Sequence, residues 1–222
     1  AAGAKVAMVA RRKEKLAEVS CTCACETLVI RGDITQKKDR EAIVSETLAK
    51  WGRIDILVNN AGLGSFGDFL EMPENDWRQI FEINVFGPAF LAQLVLPTMI
   101  KQQSGIIVNI ASIGGLFAHM AKVTPYLASK HAMVGLSRGM EKDLAKTGVK
   151  VLAICPHLTD TELFASGPGS DKLAPIVEKS KKFMESSEKV AQGIINQLDS
   201  AKLIVFPTEQ GAKAYEKEKV NL

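Results

Sequence analysis

Histidine and cysteine are scarce, with 3 and 4 copies in 222 residues, so a transition-metal site has little to draw on. Three of the cysteines fall in Cys21-Thr22-Cys23-Ala24-Cys25. That alternation lacks the two or more intervening residues of zinc-binding pairs, and His119, His131 and His157 lie far away in sequence. Free thiols at a loop or strand edge are the expectation, which points to a reducing, cytoplasmic compartment. Charge of one sign is missing too. Lys and Arg number 28 against 25 Asp and Glu, and no basic stripe is interleaved with aromatics, which argues against nucleic acid as a partner. Apolar runs such as Leu91 to Ile100 fall short of a membrane span and contain Gln93 and Pro97, and no secretory pattern opens the chain. No glycine-rich loop precedes the first strand.

What is present is an alternation of short β-branched runs with longer amphipathic segments. Strands are expected at Lys5 to Ala10, Thr27 to Arg31, Ile54 to Val58, Gly105 to Ile110, Val149 to Ile154 and Leu203 to Phe206. Helices are expected near Arg12 to Val19, Gln36 to Trp51, Glu74 to Ile100, Pro125 to Thr147 and Ser187 to Leu198. The length suits one core, and apolar strands alternating with helices predict one α/β domain over residues 1–222, its parallel sheet covered on both faces. Ligands of such sheets bind beyond the carboxyl ends of the strands. Asp33, Asn59, Ser112 and Pro156 each follow a strand.

One short run adds chemistry to that frame. In Pro125-Tyr126-Leu127-Ala128-Ser129-Lys130, helical spacing places Lys130 beside Tyr126, where an ammonium favours the ionised phenol. Unaided, a phenol titrates at about 10, too high to trade protons near neutrality. Ser112, ending Asn109-Ile110-Ala111-Ser112 after an apolar strand, can orient the same substrate oxygen.

Asn59-Asn60-Ala61-Gly62 after the third strand, Asn84 in Ile83-Asn84-Val85, Ser112, Tyr126 and Lys130 recur here in an order and spacing that resemble the short-chain dehydrogenase/reductase family, from Gly3 to about Pro207. The resemblance implies a Rossmann-like doubly wound fold and a catalytic tetrad of Asn84, Ser112, Tyr126 and Lys130, with Asn84 disturbing its helix and holding a water that leads to Lys130. In this family the glycine-rich Thr-Gly-x-x-x-Gly-x-Gly loop lies in a first β-α unit that has no counterpart here. The chain is expected to lack roughly 25 to 35 residues of strand, loop and helix upstream. Asn59, Asn60, Ala61 and Gly62 would approach the cofactor closely and tie strand ends together. Asp33 and Ile34 would contact the adenine, and Tyr126 and Lys130 the nicotinamide ribose. After the second strand of such folds an acid pairs with a ribose 2′-hydroxyl, whereas arginine accommodates a 2′-phosphate. Arg11 and Arg12 stand there with no acid, so NADP(H) is favoured over NAD(H). The bland alternative is that both arginines simply open a surface helix.

Cys155-Pro156-His157-Leu158-Thr159-Asp160-Thr161 fits the family's Pro-Gly-x-Val-x-Thr pattern in part. Pro156 and Thr161 match, while His157 replaces glycine and Thr159 replaces valine. Thr159 and Thr161 are expected at the nicotinamide amide and pyrophosphate. His119 and His157 are weak candidates for substrate contact, His157 having an outward orientation as its alternative, and Leu158, Leu163 and Phe164 would supply an apolar wall. From 162 to 187 the periodicity lapses around Gly167-Pro168-Gly169-Ser170, which suggests a lid over substrate. The implied activity is interconversion of an alcohol with a ketone or aldehyde. A catalytically silent nucleotide-binding sensor or assembly protein of the same fold is the alternative. A sugar-nucleotide epimerase would need a larger carboxyl-terminal region. Family members pair the helices corresponding to Glu74–Ile100 and Pro125–Thr147, so a homodimer or homotetramer is expected, with Phe86, Phe90, Leu94, Met133, Leu136 and Met140 as apolar candidates.

Overall fold

The computed structural model describes residues 3–118, 120–164 and 167–219. In chain order the elements are β1 (Val6–Ala10), α1 (Lys13–Thr22), β2 (Thr27–Arg31), α2 (Lys37–Trp51), β3 (Ile56–Asn59), α3 (Glu74–Phe81), α4 (Gly87–Gln102), β4 (Gly105–Ile110) and α5 (Thr124–Asp143). The carboxyl-terminal part adds β5 (Val149–Ile154), β6 (Thr159–Asp160), α6 (Ser170–Ser180), β7 (Glu185–Ser186), α7 (Ser187–Ile195), β8 (Ile204–Val205) and α8 (Glu209–Glu218).

Every strand pair is parallel, as the strand-helix alternation requires. The main layer falls into two parts: β1 pairs with β2, and β3, β4, β5 and β8 follow one another in that order. One side of β1 and one side of β3 therefore carry no ladder partner among the described residues. Both parts pack on the same helices. Ile30 of β2, Ile43 and Val44 of α2, Leu91, Val95 and Met99 of α4 and Ile107 of β4 share one core cluster, with Val9 of β1 and Leu57 of β3 against it. On the β3 and β1 side Ile56, Val58 and Val6 stay exposed. Such exposure is unusual for inner positions of a parallel sheet, whose strands are ordinarily covered on both faces.

The helices differ from sequence expectation in informative ways. α1 runs on through Cys21 and Thr22, while Cys23 and Cys25 lie in the loop before β2 as expected, and all four cysteines are free. α3 and α4 are joined by a π turn, Glu82–Phe86, into one helix of 29 residues, Glu74–Gln102. By length and apolar content that helix is able to cross a membrane, but Leu91, Val95 and Met99 pack it into the core beside α2. Residues 162–187 are more regular than their composition suggests. A 3₁₀ turn, α6, a second 3₁₀ turn and β7 occupy most of that span, and α6 keeps Pro175 inside it. The charged tail forms α8, exposed along most of its length but anchored where Tyr215 stacks on Phe206 with centroids 5.1 Å apart.

Candidate active site

β4 delivers the first functional side chain. Beyond Ile110 the chain stays extended at Ser112, which caps the 3₁₀ turn Ile113–Gly115 by accepting from the Gly114 N–H at 3.1 Å. The Ser112 hydroxyl is also hydrogen-bonded to the Tyr126 phenol. α5 carries Tyr126 and Lys130 one turn apart, and both are buried. The Lys130 ammonium lies 5.8 Å from the Tyr126 ring centroid and donates to the Ile110 carbonyl at 2.8 Å. Gly115 permits this arrangement. A Cβ at 115 would stand 2.6 Å from the Lys130 carbonyl oxygen, so only glycine lets the turn and α5 close on each other.

The electrostatics correct one expectation. Lys130 was expected to pull the phenol down, but burial pushes Tyr126 up to about 12, with the Ser112 hydrogen bond opposing it in part. Burial also lowers Lys130 to about 8, because desolvation disfavours an ammonium. Cys155, buried behind the pair, is raised to about 12 by the same cause and stays a thiol.

Asn84 occupies the centre of the π turn and is 1% exposed. Its Oδ1 accepts from the Leu63 N–H at 2.7 Å, and its Nδ2 donates to the Leu63 carbonyl and to Ser129 Oγ, each at 2.9 Å. The disturbance of the helix is thus real, and the side chain clamps the loop after β3 to α5. None of these bonds reaches Lys130 directly. Asn84 Oδ1 and Lys130 Nζ do flank the same space, 3.6 and 3.7 Å from where a Cβ on Gly62 would stand.

Asn59 ties strand ends together as its residue type suggested. Its Nδ2 donates to Asn109 Oδ1 at 2.8 Å, Asn109 Nδ2 donates to Ser137 Oγ at 2.9 Å, and Ser137 donates to the Met133 carbonyl at 2.8 Å. This buried relay fixes β3, β4 and α5 in register around the site. Asn109, Ser129 and Ser137 were not singled out in sequence; the signal, polar residues at positions where the strand and helix periods demand apolar ones, was there for each. Asn60, Ala61 and Gly62 follow β3 at its carboxyl end.

The outer candidates are spread along the same edge. Arg11 and Asp33 line a cleft of about 440 Å³ with Thr35, Glu82 and Ile83. Asp33 Oδ1 accepts from both the Thr35 N–H at 2.9 Å and its hydroxyl at 2.8 Å, and the Ile34 carbonyl accepts from Arg40 at 2.6 Å. Arg12 is not one of the residues lining that cleft; it is exposed and paired with Glu162. Pro156 accepts from the Ile113 N–H at 2.9 Å, placing the residues after β5 against the Ser112 turn. His157 is half-buried and its pKa is lowered by desolvation, with Glu185 opposing; Gln210 Nε2 lies 3.3 Å from its Nδ1. Thr159 donates to the His157 carbonyl at 3.2 Å, the Leu158 carbonyl accepts from the Glu185 N–H, and Thr161 Oγ1 accepts from the Leu163 N–H at 3.4 Å. His119 and the side chain of Phe164 lie outside the described residues.

Comparison with known proteins bears on the family and the fold. A family model described as short chain dehydrogenase matches residues 1–169. An uncharacterized oxidoreductase of Staphylococcus saprophyticus is 40% identical over 167 residues, 72% of this chain and 70% of that protein. A solved short chain dehydrogenase/reductase from Burkholderia phymatum in complex with NAD superposes with a TM-score of 0.86 at 24% identity, covering 98% of this chain and 85% of the other. A gluconate 5-dehydrogenase from Burkholderia cenocepacia, solved with NADP and tartrate, gives 0.77 at 24% identity over 94% of this chain and 85% of its own. With a family model matching most of its length and a relative 40% identical over 72% of it, the chain belongs to the short-chain dehydrogenase/reductase family of oxidoreductases.

Proposed function

We propose that the chain is an NADP(H)-dependent oxidoreductase that interconverts an alcohol with a ketone or aldehyde, with Tyr126 as general acid and base. The observation that carries this reading is the meeting of Ser112, Tyr126 and Lys130 in one buried cluster from two stretches of chain, the end of β4 and the start of α5. Ser112 holds the phenol and orients a substrate oxygen toward it. A phenol raised to about 12 keeps its proton at neutral pH, which is the form that protonates a carbonyl oxygen during reduction. Lys130 anchors the site through Ile110 and would hold the nicotinamide ribose; Asn84 fixes the loop above it and supports proton transfer. The cofactor, when bound, supplies the hydride.

The residues present fit such a group at its two ends. At one end Gly62 leaves room beside Lys130 and Asn84 that any side chain at 62 would take up. At the other, the Arg11–Asp33 cleft and the cations Arg12 and Lys15 offer an adenosine and phosphate seat. Ile34, Asn59, Asn60, Ala61, Pro156, Thr159 and Thr161 are the remaining candidate contacts. Relatives of this fold hold NAD in one case and NADP in another, so the preference for NADP(H) rests on Arg11 and Arg12 of this chain. The substrate is a small carbonyl compound or alcohol, and the unpaired thiols support a cytoplasmic setting.

Turnover of NADPH against a panel of ketones and aldehydes tests the proposal. Tyr126→Phe is expected to lose carbonyl reduction by several orders of magnitude while nucleotide binding persists. Wild-type turnover in that variant, with a confirmed substrate, overturns the assignment, and equal affinity for NADPH and NADH in the unaltered protein overturns the cofactor choice.

A further inference from the structure

Glu162 stands at the head of the segment that follows β6, 150 residues beyond Arg12, and its carboxylate is gripped by two cations. One oxygen accepts from Arg12 Nη2 at 2.8 Å and the other from Lys15 Nζ at 2.9 Å. Arg12 is the residue capping the start of α1 and Lys15 lies three positions on, so both project from the first turn, where the helix field also favours an anion. The pairing holds the carboxyl down at about 2.

Beyond Glu162 the chain is laid across the loop that follows β3. The Leu163 carbonyl accepts from the Gly64 N–H at 3.2 Å, and the Pro168 carbonyl accepts from the Phe66 N–H at 2.8 Å. Leu163 Cδ1 comes to 3.6 Å from the Cβ position of Gly62, the same space that Lys130 Nζ borders at 3.7 Å. Gly167 and Gly169 make the fit possible, since a Cβ on either would collide with the Gly64 or Phe66 carbonyl, and Gly169 also has a φ of 71°. Glu162 and Leu163 thus link the cations of α1 to the space beside Lys130.

We propose that Glu162 is a built-in rival for a phosphate: its carboxylate and the 2′-phosphate of an adenosine nucleotide take the Arg12–Lys15 seat in turn, and Leu163 and Pro168 release the Gly64 and Phe66 amides when the phosphate arrives. The proposal rests on the cofactor reading above and adds the residue that sets its strength. A carboxylate and a phosphate use the same donors, and a guanidinium suits both. The rival is weak by design of its surroundings. All three side chains are at least half exposed, where such pairs contribute little and are screened by salt. A dianion with more acceptor oxygens is the stronger ligand for the same two cations.

The test uses the whole chain with two mononucleotides, adenosine 2′,5′-bisphosphate and adenosine 5′-monophosphate. Glu162→Gln is expected to bind the bisphosphate on the order of twofold to tenfold tighter than wild type, with the gain shrinking at high salt and the monophosphate unaffected. In wild type the bisphosphate is expected to speed hydrogen exchange of the Gly64 and Phe66 amides, which are the donors to the segment. Preference for the bisphosphate with equal affinity in both proteins, or unchanged exchange at Gly64 and Phe66, overturns the rivalry and leaves the cofactor reading standing. If neither protein distinguishes the two nucleotides, the phosphate seat itself is wrong and both readings fall. Circular dichroism of the variant, whose altered side chain is exposed, confirms that any change is not one of folding.

Discussion

Three buried titratable groups meet behind the site, and their opposed shifts give the folded chain a pH signature. Lys130 falls from 10.5 to about 8, so above pH 8 the folded chain sheds a proton that the unfolded chain keeps until 10.5. Stability from this group therefore rises with pH across that window. Cys155 is raised from 9.0, and Tyr126 from 10.0, to about 12. For each the unfolded chain ionises first, so each removes stability above its ordinary value. The sum climbs from pH 8 to 9, levels between 9 and 10, and falls beyond 10. Denaturant midpoints measured across this range are expected to follow that course, and Lys130→Met is expected to lose the climb and decline from pH 9. A flat or falling midpoint between 8 and 9 in wild type would show that Lys130 keeps its charge in the folded chain. The motif placed Tyr126 and Lys130 together from spacing alone; the sign of the phenol shift was not legible there, because desolvation depends on what the rest of the chain packs around the pair.

Among the elements, the helix Glu74–Gln102 is where sequence pattern and structure part most usefully. Its period predicts a long helix, and one forms, but the turn around Asn84 widens to a π turn because the side chain is pulled toward Leu63 and Ser129. Those partners lie 21 and 45 residues away, beyond the reach of any local periodicity. Asn84→Ala would leave a buried N–H, a carbonyl and a hydroxyl short of one bond each. A loss of about 2 to 4 kcal/mol of unfolding free energy is expected, read by chemical denaturation. A change below about 0.5 kcal/mol would mean the clamp is not formed. Strands were legible because β4 and β5 are short apolar runs, 105–110 and 149–154, bounded by turn residues, and their ends differ little from expectation. α6 was not. Pro175 and the flanking Gly167-Pro168-Gly169 read as breakers, whereas the helix tolerates its proline and buries Leu173 to hold its place.

At the scale of the molecule, the apolar surface left uncovered says where a second copy would dock. Met133 was a candidate for that contact, but it is 1% exposed and lies in the core with Ala111, Val134 and Cys155. α5 therefore turns that residue to the sheet, and a charge placed there would test folding rather than assembly. Among the exposed apolar side chains, Phe86, Phe90 and Ile100 share the helix Glu74–Gln102. Phe86, Phe90, Pro97 and Ile100 recur with Gln93 at spacings of three and four, a single stripe facing outward. Phe86 and Phe90 stack with centroids 6.3 Å apart, and Arg40 of α2 lies 5.2 Å over the Phe90 ring, so the stripe is rigid before any partner arrives. A preformed apolar stripe loses little side-chain entropy on association, and monomers rarely leave such a surface wet. We expect a dimer formed through this stripe on two copies, related by a two-fold axis that sets each stripe against the other. Phe90→Glu is expected to give a monomer by sedimentation at micromolar concentration with an unfolding midpoint close to wild type, since the side chain is exposed in the single chain. A wild-type chain that sediments as a monomer would contradict the contact, and a Phe90→Glu dimer as tight as wild type would move it to another face.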